Sequence, residues 1–326
     1  MLNKVTIKDV AKAAGVSIST VSQALNNYPS IKESTRKKVL EIARELHYTP
    51  NFAARNLATK TKKTIALVLN EINVTRGVAI PLEILNGVIE RLDASDYDFV
   101  FYATTLKKQQ EKSLTHFFVE NNLAGLIIQG LKTTDPYYKE LEESTLPVVA
   151  IDLDVKNPEI GTVSIDNEAA AREVTRRLMD KQLTKIIFVN GTPDAAVSKA
   201  RELGYRSTAS HASVVYANFR EDDAYNWALT ADNLEDYDAI FAASDLMAIG
   251  ISKALHERGL TDKIALVGFD DITLGSYISP SLTTVRQNMG KIATQAAENL
   301  MVQIETQSIR HSLVDYAVIV RESADI

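Results

Sequence analysis

Four side chains near the N-terminus have the chemistry to read base edges. Ile18, Ser19, Ser22 and Gln23 share the outward face of a short amphipathic stretch. A glutamine amide can pair bidentately with N6 and N7 of adenine, and Ile18 can offer only apolar contact, for example to a thymine methyl. Much later in the chain, Asp245 follows the apolar run AIFAA and opens a helical stretch. A carboxylate there caps the helix and also stands at the carboxyl end of a strand, where open α/β sheets bind ligands.

Little in the chain suits covalent or metal chemistry. There is no cysteine, so disulfides, thiolate zinc sites and cysteine nucleophiles are excluded. His47, His116, His211, His256 and His311 are scattered without metal-ligand spacing, and HERGL at 256–260 lacks the second histidine of a zincin helix. Neither a GxSxG elbow nor a Walker phosphate loop occurs. Ser34 and Lys37 form an SxxK pattern, but on a helical stretch where phosphate or solvent contact fits better. Asp270-Asp271 reads as the cap of a turn after the run IALVGF. An enzyme is not expected, and neither is a cofactor or a metal.

The elements that must position these residues follow from pattern and charge. The chain has 326 residues, 45% hydrophobic and 24% charged, the balance of a globular protein with two or three domains. Its net charge of −6 argues, taken whole, against a polyanionic partner. The distribution reverses that reading. Up to Lys63 there are twelve basic and four acidic residues, a segment of +8, which leaves −14 on the remainder. A basic head precedes an acidic body, and only the head suits a nucleic acid. No apolar run is long enough to cross a bilayer, and MLNKVTIKDV lacks the features of a signal peptide, so a cytoplasmic protein is expected.

In the head, Ile7, Val10, Ala11 and Ala14 line one helical face, and Gly15 breaks it. Ser17 is a good N-cap for a second helix with Val21, Ala24 and Leu25 inward, ended by Asn26-Asn27-Tyr28-Pro29. Val39, Ile42, Ala43 and Leu46 mark a third. Two helices joined by a tight glycine turn, with a third beside them, describe a helix-turn-helix module whose second helix enters the major groove. After Pro50, residues 51–58 could form about two helical turns, too few to persist alone. From Thr64 onward, the runs IALVL, DFVFYA, GLIIQ, PVVAI, KIIFV, AIFAA and IALVGF alternate with helical stretches. Such runs imply parallel sheets covered on both faces, and their number suits two Rossmann-like lobes with a ligand cleft between them.

VTIKDVAKAAGVSISTVSQALNN, followed by STRKKVLEIARELHYTPNFAARNLATKT, resembles the DNA-binding head of the lactose-repressor (LacI) family nearly residue for residue over positions 5–61. FAASDLMAIGISKALHERGLTDKIALVGFDD, SPSLTTVRQNMGKIATQAAENL and VIVRES resemble the later segments of that family. The resemblance implies an all-α helix-turn-helix head on an α/β core like that of periplasmic binding proteins, crossed three times by the chain. It implies a DNA-binding domain over 1–49, a hinge over 50–63 and an effector and dimerisation core over 64–326. Within the core, the first lobe takes about 64–163 and 286–315, and the second about 164–285 and 316–326.

The same resemblance places base readers at Ile18, Ser19 and Gln23. Many members carry arginine at the last position, so Gln23 implies a different operator base. It further implies DNA contacts from Thr6, Ser17, Thr20, Ser22, Asn26, Asn51, Ala54 and Arg55, with Leu57 as a minor-groove wedge. For an effector it implies Asn70, Arg201, Phe219, Asp245 and Gln287. A carboxylate and a guanidinium for vicinal hydroxyls, with an aromatic for an apolar sugar face, suit a sugar or sugar derivative. The chain departs from the family at NEINVTRGVAIPLEILNG, where Ile80 and Pro81 stand near aromatic positions, and at Ser244, where asparagine is usual. The expectation is a homodimeric transcriptional repressor of carbohydrate genes, with operator DNA, a small effector and a second copy as partners. A non-sugar corepressor or a partner protein is the alternative. A sugar-transport component, the other rival, has no use for a basic helix-turn-helix head.

Overall fold

The computed structural model describes residues 5–25, 28, 30–48, 63–71 and 79–326. They fall into two compact units, Met1–Lys62 and Lys63–Ile326.

The first unit is built on α1 (Ile7–Ala14), α2 (Ile18–Leu25) and α3 (Glu33–Glu45). At the start of α1 the Asp9 carboxylate accepts from the backbone N–H of Thr6 at 2.8 Å and from its hydroxyl at 2.7 Å. These bonds hold the Asp9 carboxyl below its usual range. Gly15, at φ 66°, ends the helix in the left-handed region open to glycine and turns the chain into α2. Ser17 caps α2 by accepting from the N–H of Thr20 at 3.0 Å. The apolar faces then close on one another, with Val10, Ala14, Val21 and Val39 wholly buried and the small Ala11, Ala24 and Ala43 beside them.

The second unit begins with β1 (Thr64–Asn70), α4 (Ala79–Leu92), β2 (Asp98–Thr104), α5 (Leu106–Glu111), α6 (Leu114–Glu120), β3 (Leu123–Gln129), α7 (Pro136–Leu141), β4 (Val148–Ile151) and β5 (Gly161–Ser164). It continues with α8 (Asn167–Asp180), β6 (Ile186–Asn190), α9 (Ala196–Arg206), β7 (Ser213–Tyr216), α10 (Glu221–Thr230), β8 (Ala239–Ala242), α11 (Asp245–Glu257) and β9 (Ala265–Val267). Last come β10 (Thr284–Gln287), α12 (Met289–Thr306), β11 (His311–Leu313) and β12 (Tyr316–Ile319). Every residue of β1, β4, β6 and β8 is buried, as befits strands covered by helices on both faces.

Two parallel sheets result. The first lobe has the order β11-β5-β4-β3-β1-β2, and the second has β7-β6-β8-β9. The antiparallel pair β10-β12 lies beside β9, held by the bond from Gly268 N to Thr283 O at 2.8 Å and that from Leu266 N to Ser323 O at 2.9 Å. The chain passes between lobes three times, over 164–167, 287–289 and 314–316. Loops at the carboxyl ends of β3 and β6 meet across the gap. Thr133 donates its N–H and its hydroxyl to the carbonyl of Asp194 at 3.0 and 3.1 Å, and the Thr134 hydroxyl donates to the Asp194 carboxylate at 2.9 Å. The strand ends of the two lobes therefore face each other over a common cleft. Among the described residues, no helix is long and apolar enough to cross a membrane.

Close helix packing fixes the first lobe. Gly87 on α4 lies so near α12 that a methyl group there would run into the backbone oxygen of Gly290. Overpacking of this kind costs about 1–3 kcal/mol. Gly87→Ala is expected to lower the melting temperature by several degrees, and an unchanged melting curve would show that the two helices can slide apart freely.

Candidate functional site: an interlobe cleft and a basic helical head

Unusual backbone marks the cleft. Glu71 follows β1 at φ 47°, Asp152 follows β4 at φ 57°, and Asn218 and Phe219 follow β7 at φ 53° and 54°. Asp270 and Asp271 follow β9 at φ 128° and 60°. Side chains other than glycine seldom take positive φ, and such residues gather where a site over-determines the backbone. Each of these stands at the carboxyl end of a strand, where α/β lobes hold ligands.

Arg201 is the charged centre. It projects from α9 and is only 3% exposed. Its Nε donates to Asn167 Oδ1 at 2.8 Å, and its Nη1 donates to the Ala243 carbonyl at 2.6 Å. The guanidinium also lies 3.6 Å from the centroid of the Phe269 ring, a cation–π contact strengthened by desolvation. Burial pulls the Arg201 pKa down, while the carboxylates of Asp270, Asp152 and Asp245 oppose that pull. One buried cation thus faces three carboxyl groups.

The carboxyl groups differ in what they can offer a ligand. Asp152 accepts from the Ser164 hydroxyl at 2.6 Å through Oδ1. Asp270, half-buried, accepts from Gln287 Nε2 at 2.6 Å through its own Oδ1. Burial raises both carboxyls, and Arg201 pulls both back down. Gln287 is buried, and its Oε1 has no partner among the described residues; the same holds for the buried Ser198 hydroxyl on the first turn of α9. An unpaired acceptor on Gln287, bonded to the Asp270 carboxyl that faces Arg201, suits a ligand rich in hydroxyl donors. No group of three or more His, Asp or Glu among the described residues is arranged to hold a metal.

Asp245 has another role. Its carboxylate is wholly buried. Oδ1 accepts from the Thr284 hydroxyl at 2.6 Å, and Oδ2 accepts from the Ile272 N–H at 2.8 Å. Those bonds tie the loop after β9 and strand β10 to the start of α11. The cap of α11 is Ser244, whose hydroxyl accepts from Met247 N–H at 3.3 Å. Asp271 is likewise occupied, by Arg286 and Arg321 at 2.6 Å each.

Since burial raises Asp270, the ionised form opposes folding. A carboxyl whose folded pKa lies above its unfolded value contributes stability below the unfolded pKa and loses it as pH rises through the folded one. Asp270→Asn is therefore expected to stabilise the ligand-free protein by about 1–2 kcal/mol near pH 8, with no gain near pH 4. Melting curves at both pH values test this, and a destabilised variant at pH 8 contradicts it.

In the head, Ile18 is 45% exposed and Ser19 is also exposed, while Ser22 and Gln23 are half-exposed on the same face of α2. Lys8, Lys12, Lys32, Lys37 and Lys38 are exposed around this three-helix core. An amphipathic helix with polar and apolar tips amid lysines suits a groove flanked by phosphates.

Two family models match the chain. One, for bacterial regulatory proteins of the lacI family, covers residues 6–51, and the other, for a periplasmic binding protein-like domain, covers residues 175–324. The ribose operon repressor of Halalkalibacterium halodurans is 32% identical over 313 residues, which span 93% of this chain and 92% of that protein. The chain belongs to the LacI family. A CelR–cellobiose complex, a transcriptional regulator, has a TM-score of 0.74 at 27% identity and covers 98% of this chain and 100% of its own. The lac repressor dimer bound to operator superposes with a TM-score of 0.85 at 23% identity, covering 98% of this chain and 99% of its own, and shows the shared fold. The protein is a DNA-binding transcriptional regulator and not an enzyme.

As a LacI-family core, the second unit brings together some expected residues and ties others to their neighbours. Arg201 and Gln287 meet at Asp270. Phe219 is half-buried at the end of β7, and its ring fills the space a side chain at position 191 would take. Asp245 is held by Ile272 of the loop after β9 and by Thr284 of β10, so it also braces the wall of the cleft. Asn70 is likewise held by its neighbours. Its Nδ2 donates to the Gly130 carbonyl at 3.2 Å and to Asp135 at 3.0 Å, and its Oδ1 accepts from Gln109 at 2.9 Å. Oδ1 keeps a second lone pair that can accept from a hydroxyl. In the head, Thr6, Ser17 and Thr20 are occupied at helix starts, with Ser17 and Thr20 hydroxyls 2.8 Å apart. Asn26, Asn51, Ala54, Arg55 and Leu57 lie outside the described residues. Asp152, Asp270 and Asn167 went unpredicted as site residues. The strand-end rule that pointed to Asp245 also applies to Asp152 after PVVAI and to Asp270 after IALVGF.

Proposed function

We propose that the protein is a homodimeric repressor of carbohydrate genes, whose operator affinity changes when a sugar-like effector occupies the interlobe cleft. The observation that carries this reading is the pair of carboxyls facing Arg201, Asp152 and Asp270, with Gln287 bonded to Asp270 and its own oxygen unpaired among the described residues; Phe219 serves as the apolar wall. Hydroxyls donate to the carboxylates and to Gln287, and one hydroxyl oxygen accepts from the guanidinium. The cellobiose complex and the ribose repressor among the similar proteins support a sugar over other small molecules.

Exposed apolar residues support self-association. Leu82 and Ile89, seven apart on α4, are 53% and 43% exposed. Phe101 on the sheet-edge strand β2 is 43% exposed, and Tyr277 in the second lobe is 79% exposed. A two-fold dimer that buries these patches presents two heads to a palindromic operator. Ile18, Ser19 and Gln23 read base edges. A regulator of this kind works with the DNA in the cytoplasm.

Calorimetry of the full chain with ribose, cellobiose, maltose and glucose tests the cleft. One of these is expected to bind, and Asp270→Asn is expected to weaken that binding at least tenfold. Full affinity in Asp270→Asn would place the effector elsewhere.

A further inference from the structure

A continuous hydrogen-bonded chain joins the two lobes through the first crossing segment. Arg201, on α9 of the second lobe, donates Nε–H to Asn167 Oδ1 at 2.8 Å. Asn167 Nδ2 donates to the Ser164 hydroxyl at 3.1 Å and to the Ile165 carbonyl at 3.4 Å. Ser164 in turn donates to Asp152 Oδ1 at 2.6 Å, at the end of β4 in the first lobe. The amide orientation is fixed by chemistry. Arginine only donates, so Oδ1 must face it, and the remaining partners accept. Asn167 is 6% exposed and begins α8, between the crossing segment and the second lobe.

We propose that Asn167 is a positioning residue that aims the Arg201 guanidinium and makes its aim depend on the angle between the lobes. The crossing segment moves with any rotation of one lobe against the other. Ser164 and Asp152 stay together on adjacent strands of the first lobe, so a rotation that pulls Asn167 from Ser164 loosens Nδ2, and the same planar amide carries the oxygen that holds Arg201. Buried bonds in such a chain polarise and orient one another. By reciprocity, a ligand that fixes Arg201 favours the lobe angle that keeps the chain intact. The proposal rests on the reading of the cleft as an effector site.

The two readings separate in one set of measurements. In the full chain labelled with 15N-arginine, the Nε–H of Arg201, assigned through its loss in Arg201→Lys, is expected to exchange at least tenfold more slowly than exposed arginines. Asn167→Asp, which retains the acceptor, is expected to keep that protection, and Asn167→Ala to lose it. Ser164→Ala leaves every atom touching Arg201 in place, yet its Arg201 exchange is expected to rise several-fold, with Ser164→Thr restoring it. Arg201 exchange that is unmoved in Ser164→Ala overturns the relay. If Ser164→Ala does not fold, Ser164→Gly takes its place with the same two outcomes. Faster exchange in Ser164→Ala, with no calorimetric binding of ribose, cellobiose, maltose or glucose, would leave the relay standing and remove the sugar reading alone.

Discussion

Replacing Arg201 by methionine is expected to destabilise the second unit by about 3–5 kcal/mol at pH 8, the usual result of removing one partner from a buried charge cluster. Asp152, Asp245 and Asp270 would then share the core without their common cation. The expected drop in melting temperature is roughly 10 °C or more for a unit of this size. The pH dependence gives the prediction its sign. In the native protein, burial already raises these three carboxyls above their ordinary value. Arg201 pulls Asp152 and Asp270 down, so without it they rise further. Groups raised on folding contribute stability below the unfolded pKa and lose it as pH rises through the folded one. The deficit of Arg201→Met should therefore widen from pH 5 to pH 8. Equal melting temperatures of variant and native protein at pH 8 would mean that the carboxyls do not depend on Arg201.

Replacing Gln23 by arginine is expected to move one operator position in each half-site from adenine to guanine. The amide of Gln23 matches N6 and N7 of adenine, whereas an arginine fork matches O6 and N7 of guanine. Each such bidentate pair discriminates by about 1–3 kcal/mol, or roughly ten- to more than hundredfold. Gln23 is half-exposed on the face of α2 that also bears Ile18 and Ser19, and the helix beneath is held by Val21 and Ala24. The substitution leaves that core untouched, so stability should not change. Selection from a randomised duplex pool reads the preference directly. The same base recovered by native and variant chains would remove Gln23 from the readout.

The two units differ in how legible they are in the sequence, and the difference follows from the range of their contacts. The head rests on neighbours within a few turns, so Val10, Ala14, Val21 and Val39 announce its faces by spacing alone. In the second unit, the seven apolar runs coincide with β1, β2, β3, β4, β6, β8 and β9. The short β5, β7, β10, β11 and β12 escape the pattern. β5, for example, is GTVS and acquires its edge partner from His311–Leu313, far along the chain. The site failed to read through for the same reason. Asp245 and Asp270 both follow apolar strands, and their local sequence cannot separate them. Ile272 and Thr284 arrive from later segments to enclose Asp245, while Asp270 is left beside Arg201. Asn70, at the end of β1, is bonded by Gln109 and Asp135 from later segments that its local sequence does not announce. Arg201 and Gln287, which the family resemblance implies, both neighbour Asp270.

The acidic body and basic head also gain distinct roles. The −14 of the body is expected to keep it off phosphates, and Asp152, Asp245 and Asp270 belong to it. An effector in the proposed site would supply donors to Asp152, Asp270 and Gln287. That gain is available only in the lobe arrangement that lines them up, which is what an effector needs in order to shift an equilibrium.

The most direct test is operator affinity measured with and without sugar, on the native chain and on Asp270→Asn side by side. With an operator selected by the native protein, one sugar of the calorimetric panel is expected to change native affinity by roughly 5–150-fold, the span of an ordinary coupling free energy. It should leave Asp270→Asn within about twofold of its sugar-free value, since a ligand that no longer binds the cleft cannot bias the lobes. An equal response in both proteins would contradict control of DNA binding from the cleft.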